Sequence, residues 1–144
     1  MTVPVSIMWF RQDLRVKDNP ALNAACDMGK IVPIYIFDES APDGRMPGGA
    51  SKWWLHHSLK SLNKRLNGHL QIFKGDPQTL IPKLMESFNA SSIFWNRCYE
   101  PWQINRDKAI KKSLLDSDYE AHSFNGSLLW EPMKVLKKDG TPYR

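Results

Sequence analysis

The chain has 144 residues and a mass of 16.6 kDa, the size of one ordinary domain, so a second catalytic domain does not fit within it. Its residues are 42% hydrophobic, 11% aromatic and 24% charged, which excludes a disordered, collagenous or coiled-coil chain and supplies enough apolar side chains for a core. Twenty Lys and Arg against fifteen Asp and Glu give a net charge of +5 and a pI near 9.3, which is compatible with a polyanionic partner without demonstrating one.

The basic residues are spread along the chain. The densest tracts, Lys108, Lys111 and Lys112 and then Lys134, Lys137 and Lys138, read as solvated faces. No apolar run reaches the roughly 18 residues of a membrane span, and the amino terminus lacks the basic, apolar and small-residue regions of a secretion signal, so a cytoplasmic protein is expected. Cys26 and Cys98 are too few for a metal-ligand cluster, and a reducing compartment leaves them as free thiols.

Residues 5–10 form a short apolar run ending at Arg11, and residues 31–37 a second one; both are too short for helices and rich in β-branched or aromatic residues, so both read as buried strands. Between them Asn19 and Pro20 give a helix start, Asn as acceptor for the free amides and Pro as a residue with no amide to satisfy; a helix over 21–28 follows, stopped by Gly29. Leu55, Leu59, Leu62 and Leu66 mark one face of a helix over 50–66. Residues 70–74 form the third strand, and Asp76-Pro77 opens a helix reaching Phe88 with Leu80, Leu84 and Phe88 on one face. A strand over 92–95, a helix over 101–115 and a strand over 119–124 complete five β-elements alternating with four α-elements. Strict alternation implies an α/β fold, a five-stranded parallel Rossmann-like sheet with helices on both faces. Residues 125–144, with Gly126, Pro132, Gly140 and Pro142, show no helical period and read as an extended tail.

In such a sheet a ligand lies beyond the carboxyl ends of the strands, where strand order reverses, so the loops after strands one, two and four matter most. The first runs Trp9-Phe10-Arg11-Gln12-Asp13-Leu14-Arg15. It has none of the glycines of a dinucleotide fingerprint, and no Walker-type Gly-Lys-Ser/Thr, Gly-x-Ser-x-Gly elbow, His-Glu-x-x-His or Cys-x-x-Cys occurs. His56 and His57 are adjacent on a helix, where only one of the two can face the sheet and neither has a second ligand at helical spacing.

The same loops carry a resemblance. Trp9-Phe10-Arg11-Gln12-Asp13-Leu14-Arg15 with Asp18-Asn19-Pro20-Ala21-Leu22, Phe37-Asp38, Gly48-Gly49-Ala50-Ser51-Lys52-Trp53-Trp54-Leu55-His56-His57-Ser58-Leu59, and Trp95-Asn96-Arg97 with Tyr99-Glu100-Pro101 and Arg106-Asp107 resemble the amino-terminal domain of the DNA photolyase and cryptochrome family. The match runs in order over essentially the whole chain. Leu129-Trp130-Glu131-Pro132 and Gly140-Thr141-Pro142-Tyr143 resemble the start of that family's interdomain connection. The resemblance implies an antenna domain over 1–125, the start of a linker over 126–144, and a carboxy-terminal helical domain, not part of this chain, that holds FAD and meets damaged DNA. The first domain would bind a light-harvesting antenna chromophore, a reduced folate or an 8-hydroxy-5-deazaflavin. The full-length parent would be a light-driven cyclobutane pyrimidine dimer photolyase, expected as a monomer, and this domain alone would be inactive, with no catalytic residue and no metal. A cryptochrome photoreceptor, or a free-standing nucleotide-binding module, are the other readings.

Each site residue has a bland and a functional reading. Arg11, with Asp13, Arg15 and Asp18, either meets the ligand or pins the first helix by ion pairs. Phe37 offers an aromatic face and Asp38 an acceptor at the ligand edge. Ser51 and Lys52 sit at a helix amino terminus that suits an anion or is simply capped. Asn96, Arg97, Glu100 and Arg106 are the densest polar constellation, where a buried Asn or Glu is suited to a ring edge. The departure from folate-type relatives is Trp102-Gln103 in place of an Asn-Glu pair: Gln103 keeps hydrogen-bonding capacity without charge, and Trp102 offers a stacking face.

Overall fold

A computed structural model describes residues 3–42 and 46–142. The elements follow one another as β1 (Val5–Phe10), α1 (Pro20–Met28), β2 (Lys30–Asp38), α2 (Gly49–Arg65), β3 (Gln71–Gly75), α3 (Pro77–Ser87), β4 (Ser92–Asn96), α4 (Pro101–Leu115) and β5 (Glu120–Phe124). All five strands pair in parallel, in the order β3-β2-β1-β4-β5. The chain winds outward from β1 through β2 to β3, then crosses back to β4 on the other side of β1. Strand order therefore reverses at β1 and β4, the place where an open parallel sheet leaves a crevice at its carboxyl edge.

The two-residue period of the strands sorts the core into two layers. Ile7 and Trp9 of β1, Ile34 and Ile36 of β2, and Ile93 and Trp95 of β4 face α3 and α4, where Ile81, Leu84, Met85, Ile110 and Leu114 meet them. Met8, Phe10 and Phe94 face the opposite way, against Ala21, Leu22 and Ala25 of α1 and Leu59 and Leu62 of α2. Burial on both faces explains why the central strands read as continuous apolar runs. Trp9 and Trp95 meet edge to face at 5.8 Å between ring centroids, a favoured aromatic geometry.

Local signals set the helix ends. Asn19 accepts from the Leu22 amide at 3.1 Å and Pro20 opens α1; Asp76 accepts from the Gln78 amide at 3.1 Å, with Pro77 next. Gly29 ends α1 with φ at 142°, and a Cβ there would stand 2.8 Å from the Pro4 carbonyl oxygen, so only glycine fits the reversal. The expected extended tail contains one short 3-10 turn, Pro132–Lys134, and an antiparallel bridge of Leu136 with Pro142. Tyr143, the last residue of the Gly140-Thr141-Pro142-Tyr143 stretch, lies outside the described residues. Among the described residues no helix is long and apolar enough to cross a membrane.

Candidate functional site

The loops at the carboxyl edge enclose a cavity of about 610 Å³ over the ends of β1, β2 and β3 and the first turns of α2 and α4. Arg11, Phe37, Asp38, Lys52, Glu100, Gln103 and Arg106 all line it. Residues from four sequence-distant segments thus share one crevice because the strand order brings their loops together.

The wall beneath the cavity is a chain of charges. Arg106 pairs with Asp38 and donates through Nε and Nη2 to Asp107 at 3.1 and 2.9 Å. Asp107 in turn receives Nη1 of Arg11 at 2.5 Å. Nη2 of Arg11 donates to the Asn96 carbonyl. Two guanidinium groups against two carboxylates leave this buried row neutral, as low-dielectric surroundings require. The guanidinium of Arg11 lies 4.7 Å and that of Arg106 5.3 Å from the centroid of Trp9, and Arg106 also covers Trp102 at 5.2 Å. Nε of Arg11 has no hydrogen-bond partner, consistent with a guanidinium laid over an indole face. Asp38 is engaged through both oxygens, since Oδ1 accepts from the Ser40 amide at 2.7 Å and Oδ2 holds Arg106. Arg11, Asp38 and Arg106 are therefore held in one network through Asp107, and they shape the wall more than they offer free valences.

Phe37 projects over the opening, edge to face with Tyr35 at 5.2 Å. Burial first, and then the charge of Asp38, pushes the Tyr35 phenol above its ordinary pKa, so it lines the cavity as a neutral ring. Glu100 stands exposed at the start of α4 and accepts from the Trp102 indole N–H at 2.6 Å. Gln103 differs from all of these. It is only 7% exposed, lines the cavity, and its carboxamide has no hydrogen-bond partner among the described residues. Its polar atoms open on the cavity, where they keep hydrogen-bonding capacity to spare.

Two of the expected site residues stand off the lining of this cavity. Asn96 is buried as expected but does not reach the cavity: Nδ2 donates to Asp13 at 2.5 Å and to Asn19 at 2.7 Å, and Oδ1 accepts from the Ala21 amide at 3.2 Å. Both N–H groups and the oxygen of that amide thus tie β4 to Asp13 and the start of α1, away from the cavity. Ser51 does not line the cavity either; of α2 it is Lys52 and Leu55 that reach it. The Asp13 reading resolves to its structural side, with Oδ1 accepting from the Arg11 amide at 2.8 Å. Trp9 and Asp107 entered the sequence reading only within the quoted motifs, with no site role, and Tyr35 only within the second strand. Tyr35 was within reach of the strand period, being two residues before Phe37 on the same face; the role of Asp107 needs the tertiary pairing with Arg11.

Comparison with known proteins agrees with this architecture. A family model described as DNA photolyase matches residues 6–144. The deoxyribodipyrimidine photo-lyase of Agrobacterium fabrum is 44% identical over 147 residues, spanning 99% of this chain and 30% of the relative, and Cryptochrome-2 of Arabidopsis thaliana is 34% identical over 96% of this chain and 23% of the relative. The crystal structure of a class III photolyase from Agrobacterium tumefaciens superimposes with a TM-score of 0.90 at 40% identity, over all of this chain and 30% of that one. A photolyase of Sulfolobus tokodaii, solved with two FAD molecules and described as implying a novel light-harvesting cofactor, superimposes with a TM-score of 0.80 at 25% identity, over 89% of this chain and 31% of that one. The chain thus spans about a third or less of the length of these relatives. A five-stranded parallel sheet in this order, with the aromatic and charged loops of its carboxyl edge, and a family match over nearly its whole length make this chain a member of the DNA photolyase family.

Proposed function

We propose that this chain is the antenna-binding domain of a light-driven DNA photolyase, acting on cyclobutane pyrimidine dimers through a separate flavin domain. The observation that carries the reading is the cavity itself: about 610 Å³ at the switch point, with Phe37 at its mouth and the unpaired carboxamide of Gln103 in its wall. A planar heteroaromatic ring matches it, stacking on Phe37 while its ring N–H and C=O groups meet Gln103. Lys52, without an ion pair among the described residues, lies where an anionic tail would leave the opening. A reduced folate and an 8-hydroxy-5-deazaflavin both have such a ring, and the bound chromophore would absorb light and pass its excitation to FAD. FAD belongs to the helical domain in this reading, with residues 1–125 as the antenna unit and 126–144 as the start of the connection. The protein is read as cytoplasmic and monomeric.

The test is titration of the full-length protein with a reduced folate and with a deazaflavin, comparing Phe37→Ala, Glu100→Ala and Gln103→Ala with the parent. Affinity unchanged in all three variants removes the cavity as the antenna site. Cryptochromes among the relatives, at 34% and 37% identity, favour photoreception as the second reading. Blue-light repair of a thymine-dimer oligonucleotide by the full-length protein separates the two.

A further inference from the structure

The outer face of α2 combines charge of a single sign with exposed aromatic rings. The helix carries Lys52, Lys60, Lys64 and Arg65 and no Asp or Glu. Among the described residues none of these four cations is in an ion pair. Leu59 and Leu62 are the buried side of the helix, with Leu55 partly covered beside them, so packing on the sheet leaves the opposite side open. Two rows run along that open side at helical spacing: Trp53, His57, Lys60 and Lys64, and next to them Trp54, Ser58, Ser61 and Arg65. Both indoles stand in solvent, Trp53 62% and Trp54 70% exposed, although tryptophan is highly buried on average. Trp53 leans on His57 with 4.3 Å between ring centroids. A shallow depression of about 530 Å³, lined by His57, Lys60, Ser61 and Lys64, continues the first row.

We propose that this face of α2 binds single-stranded nucleic acid, independently of the cavity and without need of a lesion. Surfaces that hold a strand with no sequence preference pair cations that follow the phosphates with aromatic faces on which unpaired bases stack. Lys60 and Lys64 at the depression, with Arg65 beside them, supply the first; Trp53 and Trp54 supply the second. From Trp53 to Arg65 the helix rises about 18 Å, the reach of about four nucleotides. A duplex would meet the cations but keep its stacked bases from the indoles. A membrane surface calls for an apolar helix face to bury, and that of α2 is spent on the sheet. The basic tract of α4 makes the contrast within the molecule. Lys108, Lys111 and Lys112 share their helix with Asp107, and its one indole, Trp102, donates to Glu100. That helix has the cations without free aromatic faces.

Fluorescence anisotropy tests this on the 144-residue chain, with undamaged oligodeoxythymidine and oligouridine of about 12 nucleotides as probes. Lys60→Ala combined with Lys64→Ala is expected to weaken binding about tenfold at low salt and to flatten the slope of log affinity against log salt by about one. Trp53→Ala combined with Trp54→Ala is expected to weaken it about fivefold with the slope unchanged, because stacking releases no counterions. Replacing Lys108, Lys111 and Lys112 by Ala, although it removes more charge, is expected to change affinity less than about twofold. All three variants should keep the parent's melting temperature within about 2 °C, since every replaced side chain is on the surface. Tighter binding of one probe than of the other tells whether DNA or RNA is the natural strand. No binding at low salt overturns the proposal, and so does an α4 variant that loses as much as the α2 lysine variant, since net charge is then the cause. Binding that ignores the two indoles, a duplex of the same length bound as tightly, or capture by phosphatidylserine vesicles but not by oligonucleotide each overturns it as well.

Discussion

Two polar clusters flank the carboxyl end of β1, and they differ in whether they close. Asp13, Asn19 and Asn96 form a cluster hydrogen-bonded within itself, to the amides of Arg11, Ala21 and Leu22 and to the Arg15 carbonyl. Gln103, about as deeply buried in the neighbouring wall, has an amide left open to a cavity. The chemistry of the residues is nearly the same. A closed buried network fixes the scaffold, because removing any member strands the others. An open one strands no partner when it is changed.

The largest effect should come from breaking the closed cluster. Asn96→Ala takes one hydrogen bond each from Asp13 and Asn19 and the side-chain acceptor from the Ala21 amide in a buried site, and should cost about 3 kcal/mol, or roughly 10 °C in melting temperature for a domain of this size. A loss below about 1 kcal/mol in chemical denaturation would mean that the cluster is not what holds α1 to β4. Gly126→Ala attacks the same amide from the other side. A Cβ at Gly126 would stand 2.6 Å from Cγ of Asn96, so the tail or the cluster must move, at about 2 kcal/mol. Unchanged melting of this variant would show that the tail shifts freely.

The Arg97–Glu131–Tyr99 knot lies between the two extremes, closed but partly wet. The Tyr99 hydrogen bond first, and then Arg97, holds the Glu131 carboxyl below its ordinary range against the opposing effect of burial. A depressed folded pKa means that the unfolded chain binds the proton first as pH falls. The contribution is therefore complete above the ordinary glutamate value of about 4.3 and is lost below it, as pH falls through the folded pKa. Burial and the hydrogen bond to Glu131 raise Tyr99. Its contribution is complete below about pH 10 and is lost as pH rises through the folded value. Glu131→Gln should cost about 1 kcal/mol at neutral pH, since Arg97 is partly exposed and screened, and should flatten the acid limb of the stability curve. A variant curve parallel to the parent between pH 3 and 5 would place that limb elsewhere.

How much of this was legible in the sequence follows from which interactions are local. The strands, the Asn19 and Asp76 caps and the Leu face of α2 depend on periods and neighbours within a few residues, and all five strands and four helices stand within one or two residues of their expected limits. The cavity was legible as a convergence of loops, because parallel topology sends ligands to the carboxyl edge. The assignment within it was not. Asn96 and Gln103 are both polar residues near the β4–α4 turn, and nothing in their neighbours tells which one faces α1 and which faces the opening. The partners that decide it are 75 residues away for Asn96 and Ala21. The Glu131 knot was invisible for the same reason, since Glu131 reaches back across 34 residues to Arg97.

The smallest expected stability change is the sharpest test of the comparison. Gln103→Leu replaces an amide that opens on the cavity by an apolar side chain of similar size, so no partner is stranded. The melting temperature of the chain should stay within about 2 °C of the parent or rise slightly, in contrast to Asn96→Ala. If the amide meets a chromophore's ring edge, the same change should weaken binding to full-length protein about tenfold, the roughly 1.4 kcal/mol of a hydrogen bond that leaves the ligand's polar atom unpaired. A strong loss of stability would show that Gln103 belongs to the scaffold after all. Unchanged stability with unchanged affinity would leave it as an open amide whose cavity serves something other than a heteroaromatic ring. Only stability retained with affinity lost separates a binding group from a structural one, and the closed cluster beside it supplies the control: in Asn96→Ala the two quantities should fall together.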